Sequence, residues 1–259
     1  MKHRLAALLL LLTAATAGAG EDGWWEQRSP GQKALATELG VIGFIGAWGL
    51  VNWDYGENRW GTVDEGWFAA DTRAGGADKA GHFYTGYLLG RSLAGLFRHY
   101  GMDPARAARR GALGSLAAMT FMEIGDGFSP YGLSWEDQAM NVAGAGLALL
   151  LEERPALASK LAVRGEYTFN RDSGDDILTD YEHWRYLVVL KLDGFAAMPA
   201  PLRWLELHAG YAARSDPDQP DLHRRYTHVG IGLSLTRAAR ALGWSRTAVT
   251  SSANTRPTL

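Results

Sequence analysis

Asp78, Lys79 and His82 stand together in the segment Asp78-Lys79-Ala80-Gly81-His82-Phe83, and their spacing is the first sign of chemistry in the chain. Side chains four apart share a helix face about one turn from each other, which sets Asp78 beside His82. Asp78 also falls in a first helical turn, where the helix dipole favours an anion. A second segment, Glu123-Ile124-Gly125-Asp126-Gly127-Phe128-Ser129, spaces two carboxylates three apart among glycines that let the chain turn sharply. A third, Ser134-Trp135-Glu136-Asp137, is followed by Asn141, which shares a helix face with Asp137. Carboxylates and an imidazole are the oxygen and nitrogen donors that a divalent metal takes. The same groups also suit acid–base work, with His82 as base or nucleophile and Lys79 steadying developing negative charge. Glu123 close to Asp126 would raise one of the two pKa values and let that carboxyl donate a proton.

Each residue also has a plainer use. Asp78 suits a helix cap, Asp137 the acceptor of a capping box, and His82 with Asp78 a hydrogen-bonded pair that locks two helices. Glu123 resists that reading, because it follows Ala117, Ala118, Met119, Phe121 and Met122. A carboxylate buried on such a face needs a partner or costs several kcal/mol. The expectation is therefore one cluster, with His82, Glu123, Asp126 and Lys79 as the catalytic set. Asp78, Ser129, Asp137 and Asn141 line its pocket. Neither a metal nor a cofactor is specified.

The elements that must position these residues are helices. Periodicity predicts the first near 35–53, with Gly40, Gly43, Gly46 and Gly49 on a ridge that calls for close helix approach. A second starts near Asp78 and runs to about Tyr100. Asp103-Pro104 opens a third that continues to about Ile124. A fourth opens at Ser134 and ends before Pro155. No uninterrupted apolar run reaches membrane-spanning length, because Glu38, His82, Arg91, Glu123 and Asn141 interrupt them. Strand patterns then alternate near 163–170, 186–192, 205–211 and 226–236. Four strands are too few for an outer-membrane barrel from one chain. The fold class is α+β: a Gly/Ala-rich bundle of about four helices with a small C-terminal antiparallel β-sheet.

Composition bounds the function. The 259 residues carry a net charge of −2, 47% hydrophobic residues and no cysteine. A near-neutral balance argues against a nucleic-acid partner, since such proteins usually carry a basic excess. The missing cysteine removes disulfides, cysteine-bound zinc, iron–sulfur clusters, thiol nucleophiles and a lipid-bearing N-terminal cysteine. Lys2, His3 and Arg4, an apolar run over 5–12 and Ala17-Gly18-Ala19 fit a cleaved secretory signal over 1–19. The helical bundle then occupies 20–160, the strand region 161–243, and a disordered tail 244–259. Trp24, Trp25, Trp48, Trp53, Trp60 and Trp67 crowd the N-terminal half and favour contact with the envelope membrane or its lipids.

The three polar segments, with Gly132-Leu133-Ser134 and Asn141-Val142-Ala143-Gly144, make the stretch from about Trp53 to Glu153 similar to the YfiM-like family of predicted periplasmic lipoproteins. More loosely, the Asp78-Lys79…His82 segment, a later Glu and Asp137…Asn141…Gly144 resemble VanZ-like membrane proteins linked to glycopeptide resistance. The resemblance implies a shared polar cluster and no established reaction. The absence of cysteine keeps lipid anchoring from carrying over. The expectation is a periplasmic, envelope-associated protein that binds or processes a lipid or cell-wall component, as a hydrolase or transferase if it is an enzyme. A non-catalytic scaffold and a divalent-metal-binding protein are the alternatives. Oligomeric state is not specified.

Overall fold

Ser29 opens the first helix with a full capping box: its hydroxyl accepts from the Gln32 amide at 3.3 Å, and its own amide donates to Gln32 Oε1 at 2.9 Å. With Pro30 at the first helical position, α1 covers Pro30–Asn52, starting five residues before apolar periodicity alone predicts. The computed structural model describes residues 23–169, 176–234 and 237–238. The expected signal segment 1–19 and tail 244–259 lie outside the described residues, as does most of 235–243.

Helix α2 spans Ala77–His99, and α3 spans Pro104–Asp126 with Asp103 accepting from the Arg106 amide at 3.0 Å. Helix α4 spans Trp135–Glu153, capped by the Ser134 hydroxyl, and a single turn, α5, follows at Pro155–Ala158. Helix α2 packs along both α3 and α4, while α1 leans mainly on α3. These crossings are close because small residues face each other. A Cβ added at Gly144 would collide with the Phe83 carbonyl oxygen and sit 2.9 Å from the Tyr87 amide nitrogen. We therefore expect Gly144→Ala to lose about 1–3 kcal/mol of stability in urea unfolding. Gly43→Ala, with open space around the added methyl, is expected to be neutral or to gain up to about 1 kcal/mol. Equal effects at the two positions would refute this account of the crossing.

The glycine ridge of α1 works only in part. An added Cβ at Gly46 would touch the Phe121 ring at 3.5 Å and one at Gly49 would overlap Tyr55, yet Gly40 and Gly43 meet nothing within 4 Å. Three-residue spacing drifts by about 60° per step around a helix of 3.6 residues per turn, so four such glycines cannot share one contact line.

Strand β1, Thr62–Val63, pairs in parallel with β2, Leu133–Ser134, and ties the irregular segment after α1 to the start of α4. The larger sheet is antiparallel in the order β3 (Leu161–Tyr167), β4 (Trp184–Lys191), β5 (Leu205–Asp216), β6 (Gln219–Leu233). Fold class α+β, with four long helices and a C-terminal four-stranded sheet, is as the sequence predicts. The register aligns Val188 with Ala209 and Ala209 with Val229, so the alternating apolar residues do share a face. That face meets α2 at its aromatic end, where Tyr84 packs on Trp184 and Tyr186. Farther along it is open: Val229 is 91% exposed and Ile231 71%. Glu206, on the opposite face, is instead fully buried with Arg164 2.6 Å away. Alternation correctly sorts the residues into two faces but does not say which is buried: Leu187 and Val189 are buried on the Glu206 face, and the other is covered only at its aromatic end.

Candidate functional site

The segment entering α2 is bent hard. Ala74, Gly75 and Gly76 take successive positive φ values of 48°, 59° and 81°, a run that disfavours any residue with a side chain. Such backbone is held in place only when its surroundings over-determine it, and it clusters at sites. Here it lets Arg73, before the bend, and Lys79, in the first turn of α2, reach the same Glu65 carboxylate. Helix α2 then presents Asp78, Lys79 and His82, α3 presents Glu123 near its end, and α4 presents Asp137 and Asn141 from its first two turns. The close α2–α4 crossing at Gly144 brings these groups to hydrogen-bond range.

Lys79 is 1% exposed, with its ammonium 2.5 Å from Glu65 Oε2, 2.9 Å from Asp78 Oδ2 and 3.0 Å from Asp137 Oδ1. Burial alone would lower its pKa, but Asp78 and Asp137 more than reverse this and keep it a cation. Burial pushes Glu65 up, yet hydrogen bonding to Lys79 and its charge outweigh that and hold the carboxyl at about 2. His82 lies against this first knot. Its Nδ1 is 3.1 Å from Glu123 Oε1 and 3.3 Å from Asn141 Oδ1, and its Nε2 is 3.8 Å from Asp137 Oδ1. Burial opposes charge on the ring, but Asp137 and Glu123 overcome it and raise its pKa to about 10. These carboxylates favour the protonated ring, so base work at His82 would need that proton removed first. The Asn141 amide donates to Glu123 Oε1 at 3.1 Å and fixes that carboxylate.

Two further features set the electrostatics. Burial raises Asp137 to about 6 despite the charges of His82 and Lys79, and Asp126 to about 7, with Glu123 adding to the latter. Asp137 Oδ1 is buried and, although at ion-pair distance from Lys79, accepts no well-directed hydrogen bond. Ligand atoms of His82, Glu123 and Asp137 lie within 4.8 Å of one another, as do those of Glu65, Asp78 and Asp137. The second group encloses the Lys79 ammonium, a cation the chain supplies itself. Outside it lies a cavity of about 550 Å³ lined by Asp54, Asp64, Glu65, Asp71, Arg73 and Tyr131. Arg73 bridges wall and centre: it is 3.0 Å from Glu65 Oε1 and stacks over the Tyr131 ring at 4.3 Å.

Of the residues predicted from sequence, Asp78, Lys79, His82, Glu123, Asp137 and Asn141 converge. Asp126 stands nearly one turn beyond Glu123, beside Tyr55, whose hydroxyl donates to the Met122 carbonyl at 2.9 Å. Ser129 belongs to the turn after α3 rather than to the cluster. Its hydroxyl donates to the Asp126 carbonyl at 3.0 Å and accepts from the Tyr131 amide at 3.1 Å. Asp78 is not the helix cap, a place held by Gly76. Nor does Asp137 close a capping box: Ser134 caps α4, and the Asp137 carboxylate turns to Lys79 and His82. Glu65, Arg73 and Tyr55 were not predicted. They lie in an aperiodic stretch between α1 and α2, and the one signal for Glu65 was that a lysine as buried as Lys79 needs more acid around it than its own helix supplies.

Residues 64–153 match the DUF2279 family. That family is described as a predicted periplasmic lipoprotein. The matched stretch begins beside Glu65 and ends with the last residue of α4, so it holds the whole cluster and leaves out α1 and the four-stranded sheet. A periplasmic location agrees with the export signal read from the N-terminus. The lipid part of the description has no cysteine in these 259 residues to act on. No curated protein and no solved structure matches the chain.

Proposed function

We propose that this periplasmic protein of the cell envelope binds a divalent cation at His82, Glu123 and Asp137. The observation that carries the reading is the meeting of one imidazole and two carboxylates from α2, α3 and α4 within 4.8 Å, all buried, with Asp137 Oδ1 lacking a directed hydrogen bond. Charge balance supports it. Four carboxylates, Glu65, Asp78, Glu123 and Asp137, face three cations, Arg73, Lys79 and protonated His82, which leaves one negative charge uncompensated. A divalent ion that displaces the His82 proton makes the set neutral. The mixed nitrogen and oxygen donors suit zinc or manganese better than calcium. An envelope component, lipid or cell wall, would approach through the cavity and meet Arg73 and Glu65 first.

The test is metal analysis of the purified protein, followed by melting with and without EDTA. We expect close to one equivalent of metal and a melting point that falls when it is removed; a cation at 100 times its Kd stabilises by about 2.7 kcal/mol. Glu123→Gln is expected to lose the metal and the response to EDTA together. A second reading, a purely structural lock, draws support from Lys79, whose ammonium is already enclosed by three carboxylates. Absence of metal, no EDTA effect and no shift on adding zinc or manganese would decide for the lock.

A further inference from the structure

Helix α1 wears its polarity inside out. The residues it exposes are Gln32, Leu35, Ala36, Leu39, Gly40, Gly43, Ala47, Leu50 and Val51, which fall on one arc of about 160° when wound at 100° per residue. Beyond Gln32 this arc carries no hydrogen-bonding side chain over about 24 Å of helix. Leu35, Leu39, Leu50 and Val51 are each more than half exposed. Neither charged residue of α1 is exposed: Lys33, at the edge of the arc, is buried, and Glu38 on the far side takes a two-pronged pair from Arg110 at 2.9 and 2.8 Å. A helix on the surface of a water-soluble bundle has the opposite arrangement. Among the described helices this one alone is long and apolar enough to cross a membrane, with a mean hydropathy of 1.7 and only 17% of that window buried. Averaged over a helix, the composition tolerates Glu38, which is why counting uninterrupted runs missed it.

We infer that the exposed stripe of α1 sits against the hydrocarbon of a lipid bilayer. A protein interface ordinarily rims its apolar core with polar groups, and beyond Gln32 the stripe offers none to meet them. Lipid requires none. The ends of the helix carry the side chains that a membrane interface prefers. Before it, half-exposed Trp24 carries Arg28 over its ring at 4.6 Å, an aromatic and basic pair suited to an anionic headgroup, while the buried Lys33 is paired with Glu26. At the far end Trp60, 54% exposed, sits beside Gly127 just past α3. Phe121 of α3, in contact with Gly46, widens the apolar surface. In a chain with no cysteine to carry a lipid, α1 supplies the apolar surface that holds it to the membrane. This inference does not depend on the cation centre.

Flotation with vesicles of three parts phosphatidylethanolamine to one part phosphatidylglycerol tests it, using exported full chain whose N-terminus is fixed by mass spectrometry. The wild type is expected to float. The variant Leu35→Glu, Leu39→Glu, Leu50→Glu, Val51→Glu should float about tenfold less or worse, with an unchanged far-ultraviolet circular dichroism spectrum. Val229→Glu with Ile231→Glu, on the open face of β6, should float like the wild type. A wild type that stays with the soluble fraction would overturn the inference, as would a stripe variant that floats normally. So would light scattering showing a lipid-free dimer that the stripe variant dissociates, because a second copy would then be the occupant. If the four-residue variant fails to fold, Leu35→Ser with Leu39→Ser reads the same surface with less disruption.

Discussion

Lys79→Met is expected to destabilise the protein by about 3–5 kcal/mol at pH 7.5, the range found when one partner of a buried ion pair is removed. The reason is not the loss of one salt bridge. The substitution leaves Glu65, Asp78 and Asp137 facing one another in an interior where Lys79 is 1% exposed. Three carboxylates cannot stay ionised at that separation, so the chain must take up protons or open to water. Two consequences separate this account from simple loss of packing. First, the damage should shrink toward pH 5, where the orphaned carboxyls are protonated. Second, adding Asp78→Asn to Lys79→Met should restore part of the loss, giving a coupling of more than about 1 kcal/mol in a double-mutant cycle. Urea unfolding of the four proteins at two pH values measures both. A loss below about 1 kcal/mol that does not depend on pH would show that Lys79 is not the centre's main counter-charge.

The residues of that experiment also show how far the sequence could be read. Asp78, Lys79 and His82 were legible because helical spacing is a local rule: four positions apart means one face, whatever the rest of the chain does. The helix ends at Asp103 and Ser134 were legible for the same reason, since caps are set by neighbours a few residues away. Glu65 was not, because it reaches Lys79 across 14 residues of irregular chain held by the parallel pair Thr62–Leu133 and Val63–Ser134. No periodicity encodes that contact. Burial was the least legible quantity. Val229, in a well-alternating strand, is 91% exposed because α2 covers only the aromatic end of its face, while Glu206 on the opposite face is fully buried beside Arg164. The inverted stripe of α1 follows the same lesson: beyond Glu38 its sequence is apolar on every side up to Asn52, so only the packing on α3 reveals which side has no partner.

Metal-free protein is expected to be most stable at about pH 4–5 and to weaken steadily as the pH rises to 10, unlike a protein whose carboxylates are merely well paired. The sign follows from which state holds the proton. His82 titrates at about 10 in the folded chain and near 6.5 when unfolded, so folding binds a proton across that interval. Its contribution is complete below about pH 6.5 and is lost as pH climbs through 10, an effect on the order of 5 kcal/mol at about 1.4 kcal/mol per unit. Asp137 at about 6 and Asp126 at about 7 also sit above their unfolded value near 3.9, so stability falls with rising pH through their window as well. Glu65 acts in the opposite sense. Held at about 2, it stabilises above about pH 4.5 and stops doing so as the pH drops toward 2. These opposing slopes place the maximum on the acid side of neutrality. His82→Gln should flatten the limb between pH 6.5 and 10 while leaving the acid limb in place, and urea unfolding at half-unit steps would show it. At the proposed site a divalent cation would replace the His82 proton, so saturating zinc or manganese should flatten the same limb in the wild type and do nothing in His82→Gln. An alkaline limb that survives both treatments would mean that His82 is not the group that titrates there.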